Sequence, residues 1–287
     1  MYPYFYIGRI SISAWWLFLV CGYVAASLGL ILTRPKDFSI SYGKITLSIL
    51  IFIPASIAGS EILSFLIHYK SFAGLTYQEA LNNTGAASIG GLVLGIVSLW
   101  ILSKIARFSF VDSTDFGMPY MVLTLAFNRI GCTLAGCCYG IPTSLPWGFR
   151  FLEDGILRHP TQAYAMACAF AVFGGSRFIY KNLSSMKGLV SFYVVLSYSF
   201  LRFFNAFFRA EGPHIIGQFK IIHVFLLALI GVSIYYIIKI LKAQELGARE
   251  RAKRFMKLSV IRVVLWFFCS VIFPLMIIHV SSRIWFN

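Results

Sequence analysis

Arg129, Arg202 and Arg209 carry the chemistry that this sequence can offer. Arg129 sits in an otherwise uncharged run that starts near Gly117, and Arg202 lies inside a second apolar run. A full positive charge at membrane depth costs roughly 2.5–3.5 kcal/mol on insertion scales, so such a residue faces a cavity, a partner or a ligand. Arg202 and Arg209 are two helical turns apart and share a face. Arg158, His159 and Gln162 stand near the start of another apolar run, and Gln218 and His223 near the start of a further one. Guanidinium forks match phosphate oxygens, so this set suits an anionic phosphate held at headgroup depth. Gly131, Gly136 and Gly140 flank Arg129 and let another backbone, or a bulky headgroup, come close. Tyr164 offers a hydroxyl at the interface. Cys137 has two readings, a thiolate nucleophile favoured by nearby arginine or a small packing residue. His159 likewise has two, proton transfer or a phosphate contact, against a helix-start residue bonded to the loop backbone.

The elements that must position these residues are membrane helices. The chain has 287 residues, of which 59% are hydrophobic and only 12% charged, a balance that excludes an ordinary soluble domain. The net charge of +15 falls mostly in short loops between apolar runs. No basic patch with surface aromatics accompanies it, so nucleic acid is not an expected partner. Apolar periods predict helices over about Ile10–Leu32, Ile45–Ile67, Ala86–Leu102, Gly117–Cys138, Pro160–Phe178, Gly188–Phe208 and Ile221–Ile240. The polar, Pro- and Gly-bearing stretch Tyr139–His159 reads as an ordered loop. Pro160 suits the first helical turn. A basic surface segment follows at 241–258, suited to anionic inner-leaflet lipid, and then an eighth helix within 259–287.

The expected fold is therefore an all-α polytopic membrane protein. Its seven-helix core covers 1–240, and a C-terminal transmembrane helix is added. An outside N-terminus puts the larger share of Lys and Arg in the inner loops, as the positive-inside rule prefers. The arginines then gather in the outer half of the membrane. Asp115 falls at the inner end of the fourth helix as a cap or ion-pair partner. Glu61 in the second helix is a candidate base or arginine partner. The six cysteines show no CxxC pair and no His/Cys ligand spacing. Neither a metal nor a cofactor is expected, and Cys137 with Cys138 could close only a strained disulfide.

At these motifs the chain resembles the prolipoprotein diacylglyceryl transferase family. Arg129-Ile-Gly131-Cys132-Thr-Leu-Ala135-Gly136-Cys137-Cys138-Tyr139-Gly140 is similar to that family's R-x-G-N-x-x-N-G-E-x-x-G. Ile141-Pro-Thr-Ser-Leu-Pro-Trp147-Gly148 resembles its R-P-T-D-L-P-W-G, and His159-Pro160-Thr161-Gln162-Ala163-Tyr164 its H-P-S-Q-L-Y-E. Arg202-Phe-Phe-Asn-Ala206-Phe-Phe-Arg209 resembles R-x-x-x-E-F-F-R, and Gly217-Gln218 stands where the family has G-Q. The resemblance spans about residues 5–240.

It implies a transferase that moves diacylglyceryl from phosphatidylglycerol, or another anionic phospholipid, to a lipoprotein cysteine at the periplasmic face of the bacterial inner membrane. It assigns the lipid phosphate to Arg129 and Arg209, with Arg202 in support. Four departures stand out: Ile89 replaces the histidine of H-G-G-L, Cys137 the signature glutamate, and Ala165 and Ala206 two further glutamates. They leave open transfer of the glycerophosphate part instead of diacylglyceryl, a glycan hydroxyl as acceptor, or a non-catalytic lipid- or protein-binding relative.

Overall fold

The computed structural model describes residues 4–8, 10–68, 88–151, 154–210, 214–216 and 219–243. Gln218, the loop over 69–87, most of the basic segment and the expected eighth helix lie outside the described residues. Among those described, seven helices form: α1 (Ala14–Leu32), α2 (Tyr42–His68), α3 (Ser88–Ile105), α4 (Phe110–Ala135), α5 (Thr161–Leu183), α6 (Leu189–Phe208) and α7 (Ile221–Ala243). Three short antiparallel hairpins join them: β1 (Tyr4–Ile7) with β2 (Ile10–Ser13), β3 (Phe149–Arg150) with β4 (Leu157–Arg158), and β5 (His214–Ile216) with β6 (Phe219–Lys220).

Five helices, α1, α2, α5, α6 and α7, are long and apolar enough to cross a membrane. The apolar part of α3, Gly90–Ile105, is shorter. The 26-residue α4 stays out of that set because Asn128 and Arg129 make it more polar. On α1, Val20, Val24 and Leu28 are each about half exposed and fall one turn apart. In water such an apolar stripe would be a liability, whereas lipid accepts it.

Several expected boundaries shift for local reasons. Helix α1 starts at Ala14 rather than Ile10, because Ile10–Ser13 pair with Tyr4–Ile7 around Gly8 at φ 62°. Helix α4 starts at Phe110, carries Pro119 inside, and stops at Ala135, where Gly136 turns left-handed at φ 71°. Pro160 precedes α5 as its cap residue and is not in the first turn.

The chain divides into two compact units, one of residues up to Ala26 with those from Thr114 on, the other Ser27–Ser113. In the second unit α2 and α3 pack through small residues. A Cβ on Gly59 would stand 2.4 Å from the Gly90 carbonyl oxygen, and one on Gly91 2.5 Å from that of Ser56. Backbones meet this closely only where side chains are absent. In the first unit α4, α5 and α6 share a core of Val122, Ala126, Ala169, Val172 and Val194. Asp115 holds one end of that core. Its carboxylate accepts from the Gly188 and Ser191 backbone N–H groups at 2.6 and 2.9 Å, and from the Ser191 hydroxyl at 2.6 Å. The sequence placed Asp115 at the end of the fourth helix; it lies inside α4 instead, because that helix starts at Phe110, and it caps the start of α6, where its charge also suits the helix dipole.

Candidate functional site

The loop after α4 is built onto α5 and α6 by backbone pairing. Gly140 N–H donates to the His159 carbonyl at 2.9 Å, His159 N–H to Ile141 at 3.1 Å, and Ile141 N–H to Phe208 at 2.9 Å. Gly140 bridges Arg209, and Ala210 N–H reaches the Tyr139 carbonyl at 3.2 Å. A Cβ on Gly140 would lie 2.6 Å from both the His159 and Phe208 carbonyl oxygens, so this crossing demands glycine. Gly131 serves a related purpose: its missing side chain lets α1 approach, with Trp15 Cα only 2.9 Å from where a Cβ would stand.

Side chains then lock the loop in place. The Gln162 amide donates to the Cys137 carbonyl at 2.5 Å, and the Thr161 hydroxyl to the Cys138 carbonyl at 2.6 Å. Asn205 Nδ2 donates to the Thr161 carbonyl at 3.0 Å, while its Oδ1 accepts from Arg202 Nη1 at 3.4 Å. Arg202 on α6 is therefore connected through Asn205 and Thr161 to the end of α4. Lys220, almost fully buried, donates its ammonium to the Arg209 carbonyl and fixes the backbone of that arginine from β6. Neither Asn205 nor Lys220 stood out in the sequence. Asn205 looks like one more polar residue in an aromatic helix, and Lys220 like an interfacial cation.

The three expected arginines converge. Arg202 lies within electrostatic reach of Arg209, Arg129 and Cys138, and both Arg129 and Arg202 are near Tyr198. Among the described residues neither Arg129 nor Arg202 meets a carboxylate. The contact of Arg129 is Nη1 to Cys132 Sγ at 3.9 Å, and its Nε is buried with no partner among the described residues. Two charges desolvated in this way cost several kcal/mol together, and an entering anion would recover that cost. Arg158 is different: it pairs with Asp154 at 2.5 Å and lies over the Tyr139 ring, 5.3 Å from its centroid. Glu61 lies on α2, in the other unit.

His159 is buried, with Nδ1 3.3 Å from the Tyr164 hydroxyl, which also accepts from Trp147 Nε1 at 2.9 Å. Burial pushes the imidazole below its ordinary range, so it rests neutral. At the end of α4 the thiols of Cys132, Cys137 and Cys138 all lie within 4.8 Å of one another. Spacings of five and one residues match no familiar ligand pattern, and so the sequence pointed away from such a cluster. It forms because Gly136 and Cys138 both turn left-handed, at φ 71° and 62°. Hydrogen bonds from Cys132 and Cys137, with Arg209 and Arg129 nearby, hold the Cys138 thiol below the usual thiol range. The favoured thiolate is thus Cys138, where the sequence singled out Cys137.

Helices long and apolar enough to cross a membrane, with arginines that meet around a buried guanidinium nitrogen partnerless among the described residues, define a membrane protein whose site suits an anion. The prolipoprotein diacylglyceryl transferase family model matches residues 3–239, and the chain belongs to that family. It is similar to the phosphatidylglycerol–prolipoprotein diacylglyceryl transferase 2 of Clostridium perfringens, 26% identical over 254 residues that cover 85% of this chain and 97% of the relative. The enzyme of that name from Coxiella burnetii is 32% identical over 222 residues, 74% of this chain and 82% of the relative.

Proposed function

We propose that this chain is a phosphatidylglycerol-dependent transferase of the bacterial inner membrane, and that it moves a diacylglyceryl group to a lipoprotein cysteine thiol presented from the periplasmic side. The observation that carries the reading is the convergence of Arg129, Arg202 and Arg209 with no carboxylate on Arg129 or Arg202 among the described residues. The names of the relatives support phosphatidylglycerol as donor and a prolipoprotein as acceptor. A glycan hydroxyl has no such support.

In this reading Arg129 and Arg209 hold the donor's phosphate, and Arg202 is aimed beside them by Asn205. The acceptor sulfur attacks the glyceryl carbon that bears the phosphate. A carbon–sulfur bond forms, the carbon–oxygen bond breaks, and its electron pair stays on the phosphate oxygen. Glycerol phosphate leaves with one more negative charge than the diester had. Guanidinium groups already in place stabilise that growing charge more than the ground state, which is what lowers the barrier. Gly131, Gly136, Gly140, Tyr164 and Gln162 line or shape the binding region, and His159 orients the Tyr164 hydroxyl. Mixing the purified protein in phosphatidylglycerol vesicles with a lipobox peptide tests this reading. A peptide heavier by one diacylglyceryl group supports it. Unchanged peptide in vesicles where a family enzyme is active overturns it.

A further inference from the structure

The thiol acceptor has to lose its proton, and the residues that the family would use for acid–base work are missing here. Ile89, Ala165 and Ala206 cannot move a proton. What the chain has instead is the thiol cluster beside the arginines. Cys132 projects from the last turn of α4, and Cys137 and Cys138 follow it on the turn built by two left-handed residues. A left-handed conformation is unfavourable for cysteine, and it persists only where surrounding contacts enforce it. The contacts that enforce it here are the bonds from Gln162 and Thr161 to the carbonyls of the two cysteines. They fix the backbone of both cysteines and thereby the directions in which the two thiols leave it. With Zn–S near 2.3 Å, tetrahedral zinc needs sulfurs about 3.8 Å apart, so thiols within 4.8 Å have roughly 1 Å to close. Cys137 is exposed and leaves an entry path, whereas Cys132 is buried.

We propose that Cys132, Cys137 and Cys138 hold a thiophilic d10 cation, with zinc as the reference ion, and that its open fourth position takes the acceptor's thiol. The inference rests on the diacylglyceryl-transfer reading above. Three protein ligands and one open position are the arrangement of a catalytic rather than a structural zinc site. A thiol that coordinates zinc gives up its proton to water, and the bound thiolate is the nucleophile. Its sulfur then forms the bond to the glyceryl carbon as the phosphate departs, with no change in oxidation state. The neutral thioether is a poorer ligand than the thiolate and releases.

Zinc content and thioether formation, measured on the same full-length protein in detergent with its thiols reduced, test the proposal. Purified protein loaded with zinc and passed over a sizing column is expected to keep about one ion per chain. Cys132→Ser, Cys137→Ser and Cys138→Ser should each lose it, while Cys168→Ser keeps it. Cobalt(II) on the unaltered chain should give an intense thiolate-to-metal absorption band, a readout that needs no variant to fold. Chelation should cut thioether formation at least about tenfold, with zinc restoring it and phosphatidylglycerol binding unaffected. Absence of zinc and cobalt from the reduced protein, or full transfer by the chelated protein, overturns the metal and leaves the transferase standing. Zinc retained on a protein that makes no thioether overturns the transferase reading, and the acceptor role with it.

Discussion

Gln162 reaches from the first turn of α5 to the Cys137 carbonyl at 2.5 Å, and ties the loop after α4 to the helix beside it. Its own amide oxygen is buried with no partner among the described residues. Gln162→Leu keeps the volume and removes the tie. A lost buried hydrogen bond costs about 1–3 kcal/mol, so transfer should fall roughly tenfold to a hundredfold if the loop must be in place for reaction. Turnover of vesicle-embedded protein checks this, and an unchanged rate would show that the tie is dispensable.

Replacement of Arg129 separates charge from shape. Lysine keeps the positive charge but loses the planar fork that matches two phosphate oxygens. Removing one preorganised donor from developing charge typically costs about a hundredfold to a thousandfold. Arg129→Lys should therefore lose at least about a hundredfold in kcat/KM, and Arg129→Ala no less. A lysine variant near full activity would reduce Arg129 to a point charge.

Asp115 should act on stability alone. It accepts three hydrogen bonds at the start of α6 and takes no part in the site. Asp115→Ala leaves the Gly188 and Ser191 donors without it, a loss of about 1–3 kcal/mol. The melting temperature in detergent should drop, while the turnover of the folded fraction stays the same.

His159 gives the fold a pH dependence with a definite sign. Its folded pKa lies below the ordinary 6.5 because burial disfavours the charged ring. Between the folded pKa and 6.5 the unfolded chain binds more protons than the native one. Stability should fall as pH drops through that window and level off below the folded value. His159→Gln should flatten this part of the melting profile.

The membrane class, the order of the helices and the meeting of the arginines were legible because each rests on composition or on a fixed period. Apolar runs reveal helices, and Arg202 with Arg209 share a face by spacing alone. Asp115 was legible only as a residue near the end of α4; that it caps α6 depends on a helix far along the chain. Other features depend on contacts that one segment cannot announce. The pairing of Ile10–Ser13 with Tyr4–Ile7 took the first turn from α1. The burial of Lys220 arises from the Arg209 carbonyl, which a distant turn presents. The meeting of the three thiols needs Cys138 in a conformation that side chains rarely adopt, and no spacing rule signals that. The ion pair of Arg158 with Asp154 draws an expected member away from the cationic cluster.

Release of glycerol phosphate from headgroup-labelled phosphatidylglycerol, with a lipobox peptide present, tests the central claim most directly. The account predicts stoichiometric release with thioether peptide by the unaltered protein, and almost none by Arg129→Ala folded to the same extent. Equal release by the two proteins, or none by either, would contradict it.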